Sequence, residues 1–260
     1  MQAQTPDQVA DTAQPSSASN TKENIFLFVP NLIGYTRIIL AVISLYFMPL
    51  HPLRCSFIYA VSCLLDALDG YFARILNQHT KFGAVLDMVT DRCTITCLLV
   101  FLATAMPRYA MAFQLLISLD LASHYVHMYA TLSMGGGGSH KDVDAKRSWL
   151  LHLYYSNKIV LFMLCFMNEL FFLALYLLAF TAQEDLLADS QMTKSTRSEP
   201  RSARAMEIAR TNKIQSSIPG ILVWLSVPPM LVKQYINIQQ LIVASKWLAE
   251  GDAAERARQE

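Results

Sequence analysis

Four aspartates stand in two closely spaced stretches of otherwise apolar chain: Asp66 and Asp69 in LLDALDGYFARI (64–75), and Asp87 and Asp91 in FGAVLDMVTDR (82–92). On a helix, residues three and four apart share a face, so Asp66 points with Asp69 and Asp87 with Asp91. The polar link Asn77–Phe82 is short enough to fold the two stretches into an antiparallel hairpin, with all four carboxylates near the same end. Left alone there, they repel one another and some take up protons. A divalent metal removes the conflict, because hard cations such as Mg²⁺ or Mn²⁺ take oxygen ligands and carry the opposite charge. Such ions also hold phosphate oxygens, and a pair of them is a familiar arrangement for phosphoryl transfer. Gly70, Ala73 and Gly83 add small side chains on the inner face, where a ligand or a neighbouring helix approaches the backbone, and Arg74 could hold a phosphate.

Each residue taken singly has a plainer reading. Intramembrane carboxylates also serve ion or proton translocation, or pair structurally with Arg37, Arg74 or Arg92. Small residues at helical spacing more often mean close packing than ligand binding. Arg37 itself, one to two turns inside an apolar run, calls for a charged partner, an anionic ligand or a route by which its head reaches the interface.

The elements that must position these residues are membrane helices. Of 260 residues, 53% are apolar and 16% charged, with a mean hydropathy of +0.31, richer in hydrophobes than most soluble folds. Runs near the length that crosses a hydrocarbon core of about 30 Å recur along the chain. The reading is an all-α polytopic membrane protein with six transmembrane helices, at Leu32–Met48, Leu53–Leu76, Ala84–Ala105, Tyr109–Leu132, Ile159–Phe180 and Ile218–Ala244. The second and third carry the aspartates and the fourth carries Asp120, His124 and His127, so these three score lower in hydropathy than the others. Asn31, beside Pro30, is expected to cap the first helix.

Around this core the chain divides into a disordered N-terminal tail (1–24), spans one to five (25–182), a polar loop or insertion (183–217), the sixth helix (218–246) and a charged helical tail (247–260). Met134–Trp149 reads as a flexible loop whose Gly135–Ser139 also matches a laboratory linker. No cleaved signal peptide is visible. A net charge of +1 and the lack of a basic stripe predict no nucleic-acid partner. Cys55, Cys63, Cys93, Cys97 and Cys165 lack metal-ligand spacing and read as buried small hydrophobes. An even number of spans puts both termini and the Asn77–Phe82 link on one side, which a weak excess of basic residues marks as cytosolic.

The string D-x-x-D-G-x-x-A-R-x8-G-x-x-x-D-x-x-x-D, from Asp66 to Asp91, resembles the signature of the CDP-alcohol phosphotransferases, and all eight fixed positions are matched. The resemblance implies a dimeric, six-helix membrane enzyme of phospholipid synthesis whose site opens to the cytosol, with the endoplasmic reticulum as its expected membrane. It assigns Asp66, Asp69 and Asp87 to metal and diphosphate, with two Mg²⁺ or Mn²⁺ ions expected. Gly70, Ala73, Arg74 and Gly83 would contact or make room for the cytidine nucleotide. Asp91 would be the general base on the acceptor alcohol, and a metal ligand as well.

Outside the signature, SHYVHMYATLS (123–133), Ser139-His140-Lys141 and Asn168-Glu169-Leu170-Phe171 are similar to eukaryotic phosphatidylinositol synthases. That similarity spans most of Pro30–Phe180, fades over Gln183–Ser217, and implies CDP-diacylglycerol and myo-inositol as substrates. A neutral polyol suits uncharged or switchable hydrogen-bonding groups, which makes Asp120, Ser123, His124 and His127 the acceptor-site candidates. An acceptor bearing phosphate would call for extra cations, which the fourth span does not supply. The competing structural readings are histidines satisfied by neighbouring helices, Asn168 and Glu169 as inter-helix glue, and His140 and Lys141 as solvated loop. Other acceptors (glycerol phosphate, serine, choline or ethanolamine chemistry), a cation transporter and a silent scaffold are the alternatives. If Asp91 is the base, Asp91→Asn is expected to lower CMP release roughly 10²–10⁴-fold while leaving CDP-diacylglycerol binding largely intact, measured side by side on purified protein.

Overall fold

The computed structural model describes residues 24–133, 157–192 and 217–259. The expected N-terminal tail, the Met134–Trp149 loop with Ser139, His140 and Lys141, and most of the 183–217 segment lie outside the described residues. Six long helices run as α1 (Val29–Phe47), α2 (Pro52–Ile75), α3 (Lys81–Ala105), α4 (Ala110–Ser133), α5 (Lys158–Met192) and α6 (Ser217–Gln259), with no strand among the described residues. α1, α2, α5 and α6 are long and apolar enough to cross a membrane. α3 and α4, at 25 and 24 residues, have the length as well and carry ionisable side chains.

Two helices overrun the expected spans. α5 continues to Met192, and the charged C-terminal segment is an unbroken extension of α6. At 43 residues, α6 is about 65 Å long, roughly twice what the hydrocarbon layer requires.

The start of α1 differs from expectation. Phe28 is its N-cap and offers no side-chain bond, Pro30 occupies the first turn, and Asn31 lies inside the helix. Proline's fixed φ suits the first turn of a helix, so the helix begins before Asn31 can cap it. Asn31 Nδ2 instead donates to the Ile25 carbonyl at 2.6 Å, tying down the short 3₁₀ turn Ile25–Leu27. The Val29 amide finds its acceptor far away in sequence, on Gln78 Oε1 at 3.1 Å.

Gln78 belongs to the link that turns α2 into α3. Asn77 closes α2 with φ 52°, a left-handed conformation that asparagine tolerates better than most side chains. The Gln78 amide donates back to the Ala73 carbonyl at 3.0 Å, satisfying an end of the helix that would otherwise be open. Thr80 then caps α3, its Oγ1 accepting from the Gly83 amide at 2.9 Å. The hairpin expected from the sequence is thus built by three consecutive local devices.

α1 packs on α2 and α3, α6 packs on α4 and α5, and α3 touches α1, α4 and α5. The apolar core sits in the half of the bundle away from the α2–α3 turn: Cys55 and Tyr59 early in α2, Ile95, Leu98, Leu99 and Leu102 late in α3, and Phe172 and Tyr176 of α5. Tyr176 donates to the Met48 carbonyl at 2.7 Å and meets Phe101 and Phe180 edge-on. Large apolar side chains such as Tyr46, Phe57 and Trp224 face outward, as lipid contact requires. Near the turn, the inner face is polar. Asn77→Gly is expected to leave thermal stability near the starting value, whereas Asn77→Val lowers it by about 1–2 kcal/mol, read from melting in detergent.

Candidate active site

The carboxylates converge as their spacing predicts, and they do so on one side chain of α1. Arg37 Nη1 lies 2.7 Å from Asp69 Oδ2 and 2.6 Å from Asp87 Oδ1. Its Nη2 lies 2.7 Å from Asp66 Oδ1 and 2.5 Å from Asp91 Oδ1. With only 2% of its surface exposed, Arg37 does not reach the interface; it is buried among charged partners. Four carboxylates against one guanidinium still leave three negative charges unmatched when all are ionised. Asp66, Asp69 and Asp87 each offer an oxygen within 4.8 Å of the others, a group able to hold a metal ion, and Asp91 lies outside that triplet. An all-oxygen donor set carrying excess negative charge fits a hard divalent cation.

Beside the cluster a cavity of about 210 Å³ is lined by Asp69, Gly70, Ala73, Arg74, Gly83 and Asp87, together with Asn31 and Thr80. All four residues assigned to the nucleotide therefore share one wall with two of the aspartates. The glycines divide by what surrounds them. A Cβ on Gly83 would stand 2.8 Å from Asn31 Oδ1 and 3.1 Å from Thr80 Oγ1, so packing against these two side chains disfavours anything larger than glycine. On Gly70 the nearest atom would be Arg74 Nη1 at 3.6 Å, an ordinary contact, so the space it leaves belongs to the cavity.

On the other side of Asp91 lies a second polar network. Arg92 Nη2 is 3.5 Å from Asp91 Oδ2, while Nη1 donates to both oxygens of Asp120 at 2.7 and 2.8 Å. His124 Nδ1 lies 2.9 Å from the Asp120 carbonyl and 3.1 Å from Ser123 Oγ. Asp120, Ser123 and His124 are therefore brought together, and His127 sits about one turn further along α4. α6 closes the network: Asn237 Nδ2 reaches Asp120 Oδ1 at 3.4 Å, and Lys233 Nζ donates to Asn237 Oδ1 at 2.8 Å. Gln234 Nε2 donates to Asn168 Oδ1 at 2.9 Å and Tyr59 to Glu169 Oε2 at 2.6 Å, so Asn168 and Glu169 do join helices.

Two points of the sequence reading change here. α4 brings no cation, yet α3 and α6 bring Arg92 and Lys233 to Asp120, so this side is not free of positive charge. The polar face of α6 was missed, although Lys233, Asn237 and Gln240, all buried, recur at helical spacing in an apolar run.

An all-helical membrane protein with an acidic cluster at a helical hairpin, next to a cavity, is the class that fold and site define. The sequence pattern of the CDP-alcohol phosphatidyltransferases matches residues 27–183, and the chain belongs to that family. Several relatives carry the name CDP-diacylglycerol–inositol 3-phosphatidyltransferase. The Schizosaccharomyces pombe protein is 50% identical over 233 residues, covering 90% of this chain and 93% of its own. The human protein is 44% identical over 236 residues, covering 91% and 98%, and that of Candida albicans is 56% identical over 155 residues, covering 60% and 67%. No solved structure matches.

Gly83→Ala is expected to lower stability by about 1–3 kcal/mol through overpacking, with Asn31→Ala in the same chain recovering part of it. Gly70→Ala is expected to melt no lower than the unsubstituted protein, because its new methyl group enters the cavity. Melting curves of the three variants in detergent make the comparison.

Proposed function

We propose that the protein transfers the phosphatidyl group of CDP-diacylglycerol to myo-inositol and releases CMP. The observation that carries this reading is similarity over about nine-tenths of the chain to relatives bearing that activity as their name. The donor occupies the cavity, where Gly70 and Ala73 leave room for it and Arg74 holds a phosphate. Bound at Asp66, Asp69 and Asp87, Mg²⁺ or Mn²⁺, two ions in this reading, supplies positive charge for the diphosphate and for the departing phosphate. Asp91 carries the base role because it stands between that cluster and the Arg92–Asp120 network.

The acceptor approaches from the network side, with Asp120, Ser123, His124 and His127 of α4 as its hydrogen-bonding wall. Lys233 and Asn237 of α6 extend that wall, and the doubly bonded Asp120 balances the charge of Arg92. Asp91 takes the hydroxyl proton as the oxygen bonds to the β-phosphorus. The bond from that phosphorus to the bridging oxygen breaks, and its electron pair leaves with CMP. Because cations do stand on the acceptor side, the choice of a neutral acceptor rests on the relatives and not on α4 alone.

The cavity lining includes Pro30, Gln78 and Thr80, at the end of the bundle where α2 turns into α3. We take that end as cytosolic, the membrane as the endoplasmic reticulum and the working form as a homodimer, following the family. The test is CMP release from CDP-diacylglycerol with a panel of alcohols in the presence of Mg²⁺ or Mn²⁺. Release is expected with myo-inositol, to vanish with EDTA and to return with either ion; preferential release with glycerol 3-phosphate or serine would overturn the acceptor.

A further inference from the structure

Arg37 lies outside the eight-residue signature, yet it is the only side chain in contact with all four of its aspartates among the described residues. The pairing has a definite pattern. Nη1 bridges Asp69 of α2 to Asp87 of α3, and Nη2 bridges Asp66 of α2 to Asp91 of α3. Each nitrogen thus staples one helix of the hairpin to the other. The backbone beneath is fixed, since Ser62 Oγ of α2 donates to the Arg37 carbonyl at 3.2 Å. One turn earlier, a Cβ on Gly34 would come within 3.0 Å of Leu86, so α1 is pressed against α3 as well. The guanidinium head is held differently: Nε is buried without a partner, so the carboxylates alone retain it.

A divalent cation held by Asp66 and Asp69 of α2 and Asp87 of α3 would do the same two things, neutralising the cluster and linking α2 to α3. We infer that Arg37 is a positioning residue that serves as the resident counter-cation of the metal centre. Its guanidinium keeps the carboxylates of α2 and α3 gathered before metal arrives, and the divalent ion takes over that role on binding. The inference rests on the metal reading of the cluster. It predicts antagonism between Arg37 and metal, whereas a fixed structural ion pair predicts none.

The test uses the full chain purified in detergent and stripped with EDTA, comparing the unsubstituted protein with Arg37→Gln, Arg37→Lys and the exposed control Arg54→Gln. Thermal melting is followed with and without Mn²⁺, and Mn²⁺ binding is titrated by electron paramagnetic resonance. Without metal, both Arg37 variants are expected to melt below the unsubstituted protein. Added Mn²⁺ is expected to raise their melting temperatures by more than it raises that of the unsubstituted protein or the control. Removing a like charge a few ångströms from the site is expected to tighten Mn²⁺ binding about tenfold in Arg37→Gln. Lysine, a compact point charge without the fork that spans two pairs of carboxylates, should give a smaller change in the same direction. If Arg37→Gln cannot be recovered, Arg37→Lys carries the comparison. Equal or smaller Mn²⁺ shifts in the Arg37 variants overturn the inference and leave the metal reading standing. Absence of Mn²⁺ binding to the unsubstituted protein overturns both.

Discussion

Carboxylates set among membrane helices need cations close by, and the placement of α1 follows from that need. Asp66, Asp69, Asp87 and Asp91 come from two helices that would repel each other if nothing positive stood between them. Arg37 provides that charge from a third helix, and its reach fixes how α1 crosses the hairpin. The remaining architecture can be read as support: an apolar core in the half of the bundle away from the turn, and the carboxylate cluster with its arginine in the half near the turn. Arg92 and Asp120 repeat the arrangement one layer away, so α3 carries charged residues toward both α1 and α4.

The hairpin and its four aspartates were legible in the sequence because helical periodicity acts on residues close together in the chain. Asp66 and Asp69 share a face for the same reason that Asp87 and Asp91 do, and a short link leaves little choice of arrangement. What joins helices distant in sequence was far less legible. Arg37 could be recognised as needing a partner, but nothing local says that one guanidinium serves four carboxylates. Lys233 and Asn237 were overlooked because an apolar run suggests a plain span, although their separation of four residues was a usable signal. Asn31 was misread as a cap because its backbone neighbour Pro30 allows the helix to begin earlier.

The glycines show why a signature position cannot be equated with ligand contact. Gly83 is enclosed by Asn31 and Thr80, so an added side chain there would have to displace one of them. Gly70 faces space that no protein atom fills closely. One pattern of fixed residues therefore mixes two kinds of constraint, and only coordinates separate them. The residues that line the cavity and those that hold the helices together are in part the same.

The bond from the Val29 amide to Gln78 bears on how this chain can vary in length. Surface turns ordinarily accept insertions and deletions with little effect. Here an added residue between Asn77 and Thr80 would have to be taken up without moving Asp87, which lies 2.6 Å from Arg37 Nη1. The same link is tied at both ends, by Gln78 to the Val29 amide of α1 and by Thr80 to the Gly83 amide of α3. The turn is thus a spacer that touches α1 as well as the two helices it joins.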